Sequence, residues 1–321
     1  AFFAHDLNEF FLSDSTDTVL QERYFWANYL LGVVSEARKD GMVIGGLNLV
    51  FGGDVPLGAG LSSSAAIESG AMFILDELFQ LGLSRMDIVR LAQRGENNFV
   101  GMKCGIMDMF ASVMGRENHV VRLDCRNMEY EYFPFLTEDY TLVLFDSGVK
   151  HALVDSEYNT RRKECEAGVA LMKQNGLSIE SLRDVTPAHL ENFRTKMSPT
   201  VFNRCKFVVE EINRVVLACR QLQQDDFPGL GKLMFESHTG LRDEYEVCVP
   251  ETNFLVDLAK SNGDVLGARQ MGGGFGGCTI NLLKTNVLES FSAETSAAYK
   301  NKFGIVLKIY PVHLSAGTEI I

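Results

Sequence analysis

No apolar run in this sequence is long enough to span a bilayer. No cluster of lysine and arginine is dense enough to grip a polyanion. Lys and Arg number 30 against 42 Asp and Glu, a formal net charge of −12. An acidic surface of that kind repels phosphate backbones and anionic lipid, which excludes nucleic acid and membrane as general partners. It leaves room for one local pocket that takes a small phosphorylated ligand. The seven cysteines (104, 125, 165, 205, 219, 248 and 278) are odd in number, widely spaced and never arranged as C-x-x-C. They signal neither a disulfide framework nor a zinc site, and reduced thiols of a cytoplasmic protein explain them. Residues 1–13 are apolar only in patches and carry His5, Asp6 and Glu9, which does not fit a signal peptide. The chain starts without Met and in mid-pattern. Also missing are H-R-D and D-F-G, G-x-S-x-G and H-E-x-x-H, so protein kinases, the hydrolase elbow and zincins drop out. There is no internal repeat and no low-complexity linker.

What remains is an ordinary globular composition, 46% hydrophobic and 22% charged over 321 residues. That length allows a sizeable core and suggests two domains or one large one. Residues 41–55 read as extended chain ending in a turn at Gly52-Gly53-Asp54. A small-residue loop follows, then a helix with Ile67, Ala71, Ile74, Leu75 and Leu78 on one face. A second helix over 85–98 turns Ile88, Leu91 and Ala92 inward. Strands are expected at 120–123, 130–133 and 142–145, and helices at 154–173, 201–223, 229–239 and 251–260. The C-terminal part alternates again: strand 265–270, glycine loop 272–277, strand 279–283, helix 288–300, strand 305–310. This order fits α+β better than an alternating doubly wound sheet. The domain boundary is expected within 124–133, dividing the chain into 1–125 and 126–321.

Three constellations could carry chemistry. Gly58, Gly60 and the serines Ser62, Ser63 and Ser64 lie directly before or at the start of a helix. Glycines let backbone approach a ligand, and free N–H groups at a helix start attract anions. Without a Gly-Lys-Ser/Thr ending this is no Walker loop, and a plain serine N-cap is the alternative. Next, Gly272, Gly274 and Gly277 satisfy G-x-G-x-x-G, but a dinucleotide fingerprint must open a helix and a strand follows here. Close packing of backbone against a loop or ligand fits that segment, with a hairpin turn as the simpler reading. Finally, Asp108 sits between apolar residues after a glycine turn, placed either as a general base or as a helix N-cap. Glu96, late in a helix, opposes the dipole and suggests a metal or salt partner, or simply a solvated face. His151 and His238 are the only histidines near polar clusters.

Taken together and in this order, these motifs resemble the GHMP kinases. Residues 56–66 match the ATP loop of that superfamily and 267–278 its C-terminal glycine motif. Cys104-Gly-Ile-Met-Asp108, Trp26-Ala-Asn-Tyr29, Ser156-Glu-Tyr158 with Arg161-Arg162, and Glu236-Ser-His238 with Leu241 to Tyr245 are similar to the galactokinase branch. The likeness runs from about Tyr24 to the C-terminus. It implies an N-terminal domain like ribosomal protein S5 domain 2, a ferredoxin-like C-terminal domain, and ATP and galactose in the cleft between them. It further implies that Gly58, Gly60, Ser62, Ser63 and Ser64 hold the phosphates and that Trp26 and Tyr29 border the adenine. Ser63 or Ser64 with Glu96 would hold Mg²⁺. Gly105, Asp108 and Tyr158 would contact the sugar, with Asp108 as base.

The resemblance has departures. Lys150-His151 stands where the family often has Arg-His, Met109 replaces Gln, and Gln270-Met271 replaces Met-Thr. The family's G-R-x-N-L-I-G-E-H-x-D-Y segment, which supplies an arginine beside the catalytic aspartate, does not occur, so this chain expressed alone is expected to have little activity. Further readings are the same chemistry on N-acetylgalactosamine or another sugar, a galactokinase-like sensor of sugar and ATP, and a nicotinamide-binding enzyme. A monomer or weak dimer in the cytoplasm is expected.

Overall fold

The computed structural model describes residues 1–13, 18–56, 60–150 and 154–321; the side chains of Lys150, Val154, Asp155 and Ser156 are outside the description. Its residues form two compact units, 1–132 with 314–321, and 133–313. The division therefore falls inside the expected window 124–133 but seven residues past the 125/126 cut, and the C-terminal tail belongs with the first unit. The cause is local. Strands β4 (His119–Leu123) and β5 (Tyr130–Pro134) pair with each other, so residue 125 is in a hairpin turn closed by Asp124 N–H on the Glu129 carbonyl at 2.8 Å.

The first unit starts with β1 (Phe2–Ala4), β2 (Glu9–Phe11), α1 (Ala27–Lys39) and β3 (Leu49–Phe51), the strands ordered β2-β1-β3. Only three residues of the expected extended stretch over 41–55 are strand. Four helical segments follow: α2 (Ser63–Phe79), α3 (Arg85–Arg94), a π-helix over Gly95–Val100, and α4 (Met107–Met114). Ser84 starts α3 with a reciprocal capping box to Asp87, which satisfies two otherwise unpaired N–H groups. Met72, Ile88, Met109 and Phe110 are almost fully buried in one core, each worth roughly 1.5–3 kcal/mol by area. The inner face of α2 shares Ala71 and Leu75 with the one its apolar spacing suggests but is wider and partly polar. Ala65, Glu68, Ser69, Ala71, Met72 and Leu75 are buried, while Leu78 is exposed. Two buried polar residues on that face defeat a reading by hydropathy.

The second unit comprises β6 (Tyr140–Lys150), α5 (Val154–Gln174), α6 (Pro187–Glu191), α7 (Pro199–Gln223), α8 (Phe227–Asp243) and α9 (Pro250–Ser261). Strands β7 (Val265–Gln270) and β8 (Gly276–Lys284), α10 (Leu288–Phe303) and β9 (Lys308–Val312) complete it. The sheet is fully antiparallel in the order β7-β8-β6-β9. With α9 before β7 and α10 before β9, this is the βαββαβ pattern of a ferredoxin-like domain, into which α5 to α8 are inserted after the first strand. Val143, Phe145, Leu255, Leu283 and Tyr299 form the core beneath the sheet. The expected α+β architecture holds in both units.

Candidate active site

In the first unit the site is built at the start of α2. Gly60 and Ser62 both have left-handed backbone, at φ 72° and 57°, which turns the chain into the helix. Ser62 is the N-cap residue, yet its side chain makes no capping bond. Its hydroxyl instead donates to Asp108 Oδ2 at 2.6 Å. The first N–H groups of α2 are thus left without a side-chain acceptor from their own cap, the condition that favours an anion at a helix N-terminus. Gly58 lies outside the described residues.

Asp108 occupies the first turn of α4, one position after its start, and Ile106 is the N-cap. The N-cap alternative for Asp108 is therefore wrong, although a carboxylate in the first turn still suits the helix dipole. Met109, Phe110 and Val113 anchor α4 in the core and leave Asp108 half-buried beside Ser62. Gly105 precedes it, exposed, with open space around its α-carbon.

Glu96 is 4% exposed and so belongs to no solvated face. It sits on the π-helix, a geometry that commonly marks function. One Glu96 oxygen accepts the Ser64 hydroxyl at 3.0 Å and the other the Cys104 thiol at 3.1 Å. Cys104 is fixed in turn by its N–H, which donates to Asn97 Oδ1 at 2.8 Å. Burial, then the Glu96 carboxylate, push the Cys104 thiol well above its usual range. The Tyr29 phenol is raised in the same way, by burial and then by Glu96 and Glu68. Tyr29 thus borders the acidic centre, whereas Trp26 donates its indole N–H to Glu9 and packs on Phe51. Of the two serines proposed for a metal, Ser64 is the one joined to Glu96.

Glu68 was legible only as a helix residue, but it is fully buried beside Glu96, and neither of its oxygens makes a hydrogen bond of ordinary geometry. Burial and the neighbouring carboxylate push its acid up to about 10. A signal existed: Ser64 and Glu68 stand four residues apart, on one side of a helix, in an otherwise small and apolar stretch.

The second unit carries the glycine loop and Tyr158. β7 and β8 are joined as an antiparallel hairpin, Gln270 opposite Thr279, so the dinucleotide reading of Gly272 to Gly277 falls. Phe275 takes φ 61° and donates its N–H to the Val247 carbonyl at 2.7 Å. The buried Gln270 amide also reaches Val247, and Ser147 donates to the Gly277 carbonyl at 2.7 Å. Arg161 donates to the carbonyls of Tyr245 and Glu246 while its guanidinium lies over the Phe275 ring. Sequence reading used Arg161 only as part of a motif; here it ties α5 to this loop. A side chain at Gly273 would press on the Tyr158 ring at 3.3 Å, so loop and ring are in direct contact. His238 is buried and held by Asn253 and the Gln270 N–H, a structural role. His151 lies outside the described residues.

Comparison with known proteins agrees with this arrangement. Residues 28–116 match the family described as GHMP kinases N terminal domain, and residues 218–299 match GHMP kinases C terminal. Galactokinase from Thermotoga petrophila is 40% identical over 294 residues, covering 92% of this chain and 81% of the relative. Galactokinase from Clostridium beijerinckii is 40% identical over 303 residues, covering 94% and 78%. The crystal structure of Lactococcus lactis galactokinase complexed with galactose superposes with a TM-score of 0.89 at 30% identity, covering 98% of this chain and 82% of that one. Mevalonate kinase, at 17% identity and a TM-score of 0.63, shares the fold. The chain belongs to the galactokinase family of the GHMP kinases.

Proposed function

We propose that the protein transfers the terminal phosphoryl group of ATP to the anomeric hydroxyl of galactose, giving galactose 1-phosphate. The observation that carries this reading is the pair of bonds at one helix start: Ser62 to Asp108 and Ser64 to Glu96. Together they put an anion-attracting helix terminus between two carboxylates of different surroundings. Phosphoryl transfer needs positioning and charge neutralisation more than covalent help, and that is what such a site offers.

In this reading Gly60, Ser62, Ser63 and the N–H groups opening α2 cradle the phosphates. Tyr29 and Trp26 border the adenine, and Gly105 contacts the sugar. Asp108, held by Ser62, receives the proton of the attacking hydroxyl. The donors near Glu96 fit Mg²⁺: hydroxyl and carboxylate oxygens suit a hard cation, and the buried carboxyl of Glu68, without a hydrogen bond of ordinary geometry, lies at the same spot. Ser64 and Glu96 would hold the ion, with Ser63 beside them. Bound there, Mg²⁺ neutralises charge on the transferring phosphates. Seven free cysteines support action in a reducing, cytoplasmic compartment.

The test is direct. Full-length protein is incubated with Mg-ATP and either galactose or N-acetylgalactosamine, and products are followed by ³¹P NMR. A sugar 1-phosphate resonance with galactose is expected. Product from N-acetylgalactosamine alone would overturn the substrate, and ATP binding without product from any sugar would favour the sensor.

A further inference from the structure

Glu68 stands out among the described residues because it is a buried acid with nothing to offset it. Its side chain is fully inaccessible, neither carboxyl oxygen makes a hydrogen bond of ordinary geometry, and the group beside it is a second acid, Glu96. A carboxyl group in that position costs several kcal/mol unless something satisfies it. The arginine nearest in sequence to Glu96, Arg94, pairs with Glu36 and Asp40 instead. Lys39 is likewise engaged with Glu36. What acts on Glu68 is burial and a second acid, Glu96. Ser64 lies one helical turn before Glu68 on the same side of α2, and its hydroxyl already reaches Glu96. Three oxygen-bearing side chains thus converge on one buried spot, where no cationic side chain among the described residues pairs with Glu68 or Glu96.

We propose that Glu68 is a further carboxylate of the divalent-cation site, sharing the ion with Glu96 and the Ser64 hydroxyl. This rests on the reading of Glu96 and Ser64 given above and extends it by one residue. Two carboxylates and a hydroxyl form a set of hard oxygen donors suited to Mg²⁺ or Mn²⁺. The role explains why a buried helix face keeps an acid among Ala65, Ser69, Ala71, Met72 and Leu75. It also fits the π-helix, which brings Glu96 within hydrogen-bond reach of Ser64 on α2.

The test uses Mn²⁺ as the probe, with free ion counted by its electron paramagnetic resonance during titration of the full chain without nucleotide. Wild type, Glu68→Gln and Glu96→Gln are compared, each confirmed folded by circular dichroism. Weakening of Mn²⁺ binding by about tenfold or more is expected in both variants, with Glu68→Gln no less heat-stable than wild type when metal-free. Should Glu68→Gln fail to fold, Glu68→Asp, which keeps the charge but retracts it by a methylene, is expected to weaken Mn²⁺ several-fold. Wild-type affinity in the Glu68 variant together with loss in Glu96→Gln would overturn the assignment of Glu68 and leave the cation site itself standing. Wild-type affinity in both variants would overturn both.

Discussion

The Asp108 carboxylate accepts the Ser62 hydroxyl, and the backbone of Ser62 makes that pairing testable. At φ 57° this serine occupies a conformation that costs an L-residue roughly 1–2 kcal/mol. Ser62→Gly removes the hydroxyl and the strain together. Turnover is expected to fall about tenfold, in keeping with a lost hydrogen bond to a charged group, while the melting temperature holds or rises. A fall in both would show that the hydroxyl supports folding rather than the aspartate. The sequence marked Asp108, Glu96 and the serines through their setting among glycines and helix ends. It did not mark their pairing, because Ser62 lies 46 residues from Asp108 and Ser64 lies 32 from Glu96. Long-range pairing of that kind leaves no periodicity behind. Glu68 stayed hidden for a different reason: a lone acid on a helix reads as solvated until burial is known.

The element that decides where Glu96 points is the π-helix against α1. Gly95 and Gly32 meet backbone to backbone, and a β-carbon on Gly32 would stand 2.9 Å from the Gly95 carbonyl oxygen. Gly32→Ala therefore has to push the π-helix away. A loss of about 1–3 kcal/mol is expected from overpacking, read as a lower urea midpoint with unchanged slope, together with weaker Mn²⁺ binding. An unchanged midpoint would mean that the contact yields freely. Helices and strands of the second unit were largely legible: the expected 251–260, 265–270 and 288–300 fall within three residues of the ends of α9, β7 and α10. The first unit was less so. Its first three strands are three residues long, and the switch from α3 into the π-helix has no sequence signature beyond Gly95. The glycines at 272–277 could be read as a loop but not as a pinned one, because their anchors, Val247, Ser147 and Arg161, come from distant positions.

For the molecule as a whole, stability should depend on pH through His238. Burial lowers this imidazole to about 4, and the Gln270 N–H donating to Nδ1 requires the proton on Nε2, directed at Asn253. The unfolded chain binds that proton near pH 6.5, and the folded chain resists it until about 4. Between these values the unfolded state carries more protons, so stability is full above 6.5 and falls as pH drops toward 4. The contribution is at most on the order of 3 kcal/mol. The melting temperature of His238→Gln should accordingly change less between pH 6.5 and 4 than that of wild type; equal slopes would refute the assignment. Net charge, too, gains meaning at this scale. A chain of −12 can still serve a nucleotide where helix N–H groups and a metal ion do the neutralising. The central claim is that Asp108 accepts the proton as ATP phosphorylates the sugar. Its most direct test is galactose 1-phosphate formation by full-length wild type and Asp108→Asn, with nucleotide binding measured alongside. The account predicts turnover lower by about 10²–10⁴ with ATP binding nearly unchanged; undiminished turnover in Asp108→Asn would contradict it.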